Sequence, residues 1–533
     1  MSYRDLIQAL PRPGGPTPQS LPLPGQAPNN AGGHWYALDD WARLDRFLLL
    51  GSDSGTYYVS ALALTRDNAG AVLRCLASDG PRAVRRIVAV SDSGRAPKNE
   101  PALFALALAA AADDPAVRRA ALDALPQVAR TGAHLLAFAA YVQSLRGWGR
   151  GLRRGVARWF AGQPVERLAL QAVKYARREG WALRDLLRLA HPLTDEAERR
   201  ALIDWIAHPE KPEAVAAARA VSPLVEGLCR VREARSAAEA ADAVLRYSLP
   251  REAVPTGLLD AREVWDALLV AMPLTAMLRN LGKMSAVGLV TAGSDAARYV
   301  AERLADAEAL AAARVHPVRL LLALRTYAQG RGMLGRLAWT PAPAVIDALD
   351  DSFHRAFGQV APTGRRLLVA VDVSGSMHGT SCAGSPVLTA MEAAAAVAMA
   401  FVRADREVEM VAFDTAIHHP GVSPRQRLDD VVRVLGQWDG GTDVAQPVLW
   451  ALERRLTVDG FVILTDDETW AGDEHPVQAL ARYREQVNPA ARIAVLACAA
   501  NAGSVVPADD PLAFGAAGFD AAVPELAAEF LRA

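Results

Sequence analysis

From about residue 38 to 350 the apolar positions recur at helical spacing, and short Gly, Pro or Asp turns divide them into segments. The pattern predicts helices over 101–112, 116–124 (after an Asp114-Pro115 start), 134–145, 213–221, 237–247, 297–312 and 316–329. These helices are short, and many carry Ala and Leu on more than one face. That suits stacked pairs in an α-solenoid of the HEAT type better than one compact bundle. The pattern then changes. Residues 367–371 and 461–464 are continuous apolar runs, the signature of strands buried on both faces of a parallel sheet. At the other end, prolines 11, 13, 16, 18, 22, 24 and 28 deny residues 11–30 both helix and central strand. That segment is expected to be an extended arm on the surface or disordered, with order beginning near His34-Trp35-Tyr36.

Each apolar run in the last third ends in oxygen donors. Asp372, Ser374 and Ser376 follow the first, at the carboxyl end where open α/β sheets place their ligands. One carboxylate with two hydroxyls is a hard oxygen site suited to Mg²⁺. Gly440-Gly441-Thr442-Asp443 offers another hydroxyl, and the second strand ends in Thr465-Asp466-Asp467-Glu468. Taken in this order, the three segments resemble the metal-ion-dependent adhesion site of von Willebrand factor A domains. The resemblance implies that Asp372, Ser374, Ser376, Thr442 and Asp466 hold one divalent ion, most readily Mg²⁺, and that an incoming carboxylate completes its shell.

Composition adds a compartment and a charge asymmetry. The chain has 533 residues, 51% hydrophobic and 22% charged, enough for a large core. Cys75, Cys229, Cys382 and Cys498 lie far apart with no CxxC pair, which points away from zinc and disulfides and toward a reducing compartment. With no signal-like amino terminus and no apolar stretch of membrane-spanning length, the expected location is the cytoplasm. Net charge is −1 overall, but residues 361–533 carry −10 and residues 1–360 carry +9. The basic excess concentrates between 146 and 188, in Arg146, Arg150, Arg153, Arg154, Arg158, Arg167, Lys174, Arg177, Arg178, Arg184 and Arg188. Only Glu166, Glu179 and Asp185 oppose them, and Trp148, Trp159, Tyr175 and Trp181 are interleaved. Arginine forks meet phosphates, and aromatic faces stack on unpaired bases, so the cluster reads as a polyanion surface. Lys174, Arg178 and Trp181 share a face if one helix carries all three.

Longer motifs bring a family into view. Gly51-Ser52-Asp53-Ser54-Gly55-Thr56-Tyr57-Tyr58, Lys174-Tyr175 through Gly180-Trp181, and Asp185-Leu186-Leu187-Arg188-Leu189-Ala190-His191 resemble the TROVE module of Ro autoantigen proteins. So do 273–284, Pro362-Thr363-Gly364, and the Ro form of the third metal-site segment, Thr465 to Gly472. The Ala/Arg-rich composition favours a bacterial member. This resemblance implies a mainly α plus α/β fold: a Pro/Gly-rich arm (1–33), a closed HEAT-like α-helical repeat ring (34–360), and a Rossmann-like von Willebrand factor A domain (361–533). One chain closing its own ring makes a monomer sufficient.

The family implies function as well. Ro proteins thread single-stranded 3′ ends of misfolded structured RNA through the ring's basic hole and bind small noncoding Y RNA on the basic outer surface, in RNA quality control. Lys174, Arg178 and His191 match Y RNA contact positions, with Arg150, Arg153, Arg154, Arg177, Arg184 and Arg188 as neighbours. Arg279, Asn280 and Lys283, together with Arg95 and Lys98, are expected to line the hole. Bacterial relatives are associated with the 3′→5′ exoribonuclease polynucleotide phosphorylase, an expected partner. This chain uses arginine where animal members use more lysine, which preserves phosphate binding. No nucleophile elbow, Walker loop, HExxH or zinc spacing occurs, so binding without catalysis is expected. His418-His419 reads as a surface turn, because adjacent side chains diverge. Two other readings compete: a metal-dependent protein-adhesion scaffold whose +9 half merely complements its −10 half, and a phosphohydrolase using Asp372.

Overall fold

The computed structural model describes residues 15–51, 69–94, 96, 98–175, 177–313, 315–332, 336–356, 361–379, 389–498, 503–517 and 523–533. Arg95, Cys382 and the 52–58 part of the Gly51–Tyr58 motif lie outside these residues.

Helices dominate up to Ala356, and each packs on its neighbours in sequence: Asp40–Leu50 on Gly70–Ser93, Glu100–Ala111 on Pro115–Val128 and Gly132–Leu145, Ala197–Ala207 on Pro212–Val221, and Pro223–Glu233 on Ala237–Tyr247. The predicted helices fall where expected, with one exception. The 297–312 segment is two helices, Asp295–Ala305 and Ala307–Ala312, broken at Asp306. The Asp306 carboxylate accepts the Ala309 amide at 2.9 Å and caps the second helix, a local bond that competes with helix continuation.

The array returns on itself. Lys98, beside the start of helix Glu100–Ala111, lines one cavity with Arg319 of helix Pro317–Ala328 and with Arg279 of helix Leu274–Ala286. Arg319 also lies within electrostatic reach of Glu100 and His134. Helices separated by some two hundred residues of chain thus meet around a common space, as a closed ring requires.

The remainder is a six-stranded sheet with the order Ala513–Ala517, Arg492–Ala497, Gly460–Thr465, Leu367–Asp372, Val408–Phe413, Ile417–His418, parallel except for the last strand. Alternate residues feed two cores. Val369, Val371, Val462 and Leu464 face helices Ala390–Ala404 and Val523–Arg532, while Leu368, Ala370, Phe461 and Ile463 face helices Gln446–Glu453 and Pro476–Gln486. Burial on both faces is why these strands read as unbroken apolar runs. Phe461 meets Tyr483 edge-on at 5.0 Å with no solvent exposure. Phe461→Ala is expected to cost about 3–5 kcal/mol in chemical denaturation followed by near-ultraviolet circular dichroism.

The amino-terminal segment differs from the surface arm read in the sequence. Gln26–Pro28 pairs with His34–Ala37, and that strand pairs with Gly503–Ser504 of the last third. Gln19 is fully buried, donating to Asp443 Oδ1 at 2.6 Å and to the Glu474 carbonyl at 2.8 Å. Proline is tolerated because the strand is an edge, and Gly33 because any Cβ would strike the Thr469 carbonyl oxygen. The segment therefore packs as part of the sheet domain. Arg46 reaches the Gly503 carbonyl at 3.0 Å from the ring's first helix, while Arg325 meets Glu392 at 3.0 Å and Asp347 meets Arg427 at 2.9 Å from its last two, Pro317–Ala328 and Pro343–Ala356. The sheet domain is thereby docked across both ends of the helical array.

Candidate nucleic-acid interface and metal centre

Helix Val165–Lys174 stops at Lys174, because Tyr175 leaves helical geometry (φ −129°, ψ 49°). Lys174, Arg178 and Trp181 therefore do not share a helix face, contrary to the spacing argument. Arg177–Arg178 and Trp181–Ala182 instead form a two-residue hairpin with Arg178 opposite Trp181. Its turn residues Glu179 and Gly180 both take positive φ, as a tight I′ turn demands. Trp181 packs on Trp148 with ring centroids 5.4 Å apart, and Lys174 lies 5.7 Å from the Tyr175 ring. Arg177 and Arg178 are exposed, and His191, at φ 45°, ends helix Leu183–Ala190 as an exposed residue. The hairpin thus brings together charge and aromatic surface that one helix would have spread out.

The other predicted contacts divide. Arg178 sits 3.8 Å from Glu100, at the edge of the central cavity. Arg184 is 3.7 Å from Asp185, and Arg188 donates to the Ala207 carbonyl at 2.8 Å, which fixes both beside the hairpin. Arg150 and Arg154 line a different cavity, with Arg118, Arg119, Arg146 and Arg158, whereas Arg153 is exposed outside its lining. Under the hairpin, His134 is pushed down to about 4, chiefly by burial, so it is neutral at physiological pH.

The central cavity, about 640 Å³, gathers four residues named from the sequence: Lys98, Arg279, Asn280 and Lys283. Arg251 and Arg319 join them, with Tyr327 and Trp339 as aromatic walls. Neither arginine stands in a basic run, and no local pattern marks them. The chain's return brings them there. Desolvation by the cavity walls holds Lys98 and Arg319 below their ordinary values, although Arg319 stays open to solvent and Lys98 is half-buried. Lys283 is partly neutralised by Asp260 at 2.7 Å. Gly282 lets Trp339 lie flat on its helix, for an added Cβ would sit 2.7 Å from the indole. Gly282→Ala is expected to displace Trp339 and cost about 1–3 kcal/mol, read as a lower denaturation midpoint at unchanged slope.

The three oxygen-bearing segments converge at the carboxyl ends of Leu367–Asp372 and Gly460–Thr465. Asp372 is fully buried; its Oδ1 accepts the Ser374 amide at 2.9 Å and its Oδ2 accepts the Thr465 hydroxyl at 2.6 Å. The Ser374 and Ser376 hydroxyl oxygens lie 3.3 Å apart, with Ser376 exposed. The Gly375 amide donates to the Gly440 carbonyl at 3.2 Å, and the Thr442 carbonyl accepts the Trp470 amide at 3.0 Å, tying the loops together. Burial, and next the neighbouring Asp466 carboxylate, raise the Asp372 carboxyl well above the usual carboxylate range. Two buried carboxylates with three hydroxyls fit one hard divalent cation, which would offset their repulsion. Thr465 was missed in the sequence, where it reads as the last residue of a strand. Thr465→Val leaves an oxygen of Asp372 without its donor, and a loss of about 1–3 kcal/mol is expected in urea unfolding.

His418 is not in a surface turn. It ends the edge strand, stacked on Trp438 at 4.8 Å and 3.1 Å from Asp414, while His419 turns to Trp450. Their side chains do diverge.

Residues 366–531 match the Ro60 vWA domain, and residues 27–221 and 240–331 match the TROVE domain. The chain is 42% identical over 510 residues to the RNA-binding protein RO60 of Deinococcus radiodurans, covering 95% of both chains. It is 33% identical to the RNA-binding protein RO60 of Caenorhabditis elegans, across 95% of this chain and 90% of that one. The crystal structure of the D. radiodurans RO (RSR) protein superposes with a TM-score of 0.71 at 40% identity, over 93% of this chain and 99% of that one. With both halves matched, in this order and over nearly their whole length, the chain belongs to the Ro60 family, built as a TROVE helical ring joined to a vWA domain.

Proposed function

We propose that this chain is an RNA-binding ring acting in RNA quality control. It holds Y-like small noncoding RNA on the surface around Lys174, Arg177, Arg178 and His191, and takes single-stranded 3′ ends of misfolded structured RNA into the central cavity. The observation that carries this reading is the cavity itself. It collects cations from four separate stretches of chain, Lys98, Arg251, Arg279 with Lys283, and Arg319, and it adjoins Arg178 through Glu100. Relatives named RNA-binding proteins support it.

The work is binding rather than bond chemistry. Guanidinium forks at the rim grip phosphates of a structured RNA, while Trp339, half-buried in the cavity wall, offers an aromatic surface to unpaired bases. A duplex keeps its bases inside, so only a free single strand exploits that surface. On the sheet domain, Asp372, Ser374, Ser376, Thr442 and Asp466 would hold Mg²⁺, which would supply a docking point for a carboxylate from a protein partner. A 3′→5′ exoribonuclease such as polynucleotide phosphorylase is the partner that the family resemblance supplies.

The test compares wild type with Lys174→Ala/Arg178→Ala/His191→Ala on two ligands, a Y-like stem-loop and a duplex with a single-stranded 3′ tail. Stem-loop affinity should fall tenfold or more, about 1.4 kcal/mol, with partial retention of the tailed duplex. Log affinity should also fall by about 0.7–0.9 per ion pair for each log unit of salt. Binding of both ligands unchanged in the variant and from low to high salt would sink the proposal.

A further inference from the structure

The second basic cavity is not needed for the RNA contacts above, yet six arginines line it against one carboxylate. Helix Pro115–Val128, the 146–149 link and the first turns of helix Arg150–Gly162 enclose about 530 Å³, lined by Arg118, Arg119, Arg146, Arg150, Arg154 and Arg158. Asp123 is the one carboxylate in the lining, and Arg158 occupies it at 2.7 Å. Arg118 is turned to the carbonyls of Ala112 and Asp113. Arg119, Arg146, Arg150 and Arg154 form no ion pair with any described residue.

The packing concentrates this charge. Gly151 and Gly155 lie against Leu122, where added Cβ atoms would stand 3.2 and 3.4 Å from its side chain. Bare backbone there lets the two helices approach, which carries Arg150 and Arg154 toward Arg118 and Arg119. Like charges four residues apart on a helix are themselves mildly destabilising. The fold gains nothing from setting four free guanidinium groups around one hollow. An anion gains a great deal.

The shape narrows the class of anion. The volume lies within the ~300–1,000 Å³ of small-molecule sites. An internal phosphodiester brings a single charge, too little for four free forks, whereas linked terminal phosphates present many oxygens in a small volume. Apart from arginine and Asp123, the lining is Ala110, Pro115, Leu122, Val142, Leu152 and glycine, with no ring to stack a base. The cavity reads phosphate and ignores the base. Trp148 lies in the link that forms its wall, and that indole rests on Trp181 of the hairpin. An RNA held on the hairpin therefore has this hollow as its neighbour. We propose that the cavity binds a compact oligophosphate, the 5′-triphosphate end of an RNA. The RNA part rests on the function proposed above; a free nucleoside triphosphate shares the phosphate chemistry, and the experiment separates the two.

The full-length protein is tested with one RNA sequence bearing either a 5′-triphosphate or a 5′-hydroxyl, and separately with inorganic tripolyphosphate in the absence of RNA. Wild type should bind the triphosphate RNA about tenfold more tightly, the gain of one charge-assisted contact. Arg119→Gln/Arg146→Gln should erase that preference while still binding the 5′-hydroxyl RNA, which also shows that it is folded. Lys174→Ala/Arg178→Ala/His191→Ala should weaken both RNAs and preserve their ratio. Tripolyphosphate binding lost in Arg119→Gln/Arg146→Gln, without preference between RNA ends, assigns the cavity to free oligophosphates. That result would stand even if the RNA function failed. Equal binding of the two RNAs with no tripolyphosphate binding, or a preference that survives Arg119→Gln/Arg146→Gln, overturns the proposal.

Discussion

Arg279→Gln/Arg319→Gln is expected to weaken binding of a duplex with a single-stranded 3′ tail by about a hundredfold, while stem-loop binding stays near wild type. Each substitution removes a cation from the central cavity, and a hydrogen bond to a charged group is worth about 1.5–3 kcal/mol. Two such losses at tenfold per ~1.4 kcal/mol reach a hundredfold even at the lower end. Glutamine keeps most of the side-chain length, so the aliphatic packing beside Trp339 and Leu322 survives. Retained stem-loop binding is the control for folding. Fluorescence anisotropy on both ligands decides the matter, and equal loss on both would mean that cavity and hairpin are one continuous surface.

The sheet domain was legible in the sequence because its chemistry is local. Residues 367–371 and 461–464 are buried on both faces, so no polar alternation masks them, and Asp372 and Asp466 follow the strand ends directly. The helices were legible for a similar reason, their periodicity being unambiguous over two or more turns. The exceptions share a cause. At Asp306 and Tyr175 a side chain or a turn overrides a continuing pattern, and periodicity has no means of registering a cap.

What could not be read was whatever long-range closure creates. Arg319 and Arg251 are isolated arginines in sequence, and only the return of the chain to Lys98 makes them neighbours. The cluster between 146 and 188 looked like one surface, but the close approach of helix Arg150–Gly162 to helix Pro115–Val128 places Arg150 and Arg154 in a cavity of their own. Gln19 sat in a proline-rich stretch that promised an exposed arm. Its burial depends on Asp443 and Glu474, more than four hundred residues away.

Mg²⁺ is expected to stabilise the sheet domain strongly at pH 8 and weakly at pH 6. The Asp372 carboxyl is pushed up to about 7 in the folded protein, first by burial and then by Asp466. Between the ordinary carboxylate range and that value the folded state holds a proton that the unfolded state has released. Metal-free stability therefore falls as pH rises through this window and levels off above it. A divalent cation needs the ionised carboxylate, so it binds best where the metal-free protein is weakest. At a hundredfold excess over the dissociation constant, the gain is about 2.7 kcal/mol. Asp372→Asn should raise metal-free stability at pH 8, by removing the buried charge, and should abolish the response to Mg²⁺. Thermal unfolding in EDTA or Mg²⁺ at the two pH values measures all of this. If wild type at pH 8 melts identically with and without Mg²⁺, the five oxygen donors do not form a metal site.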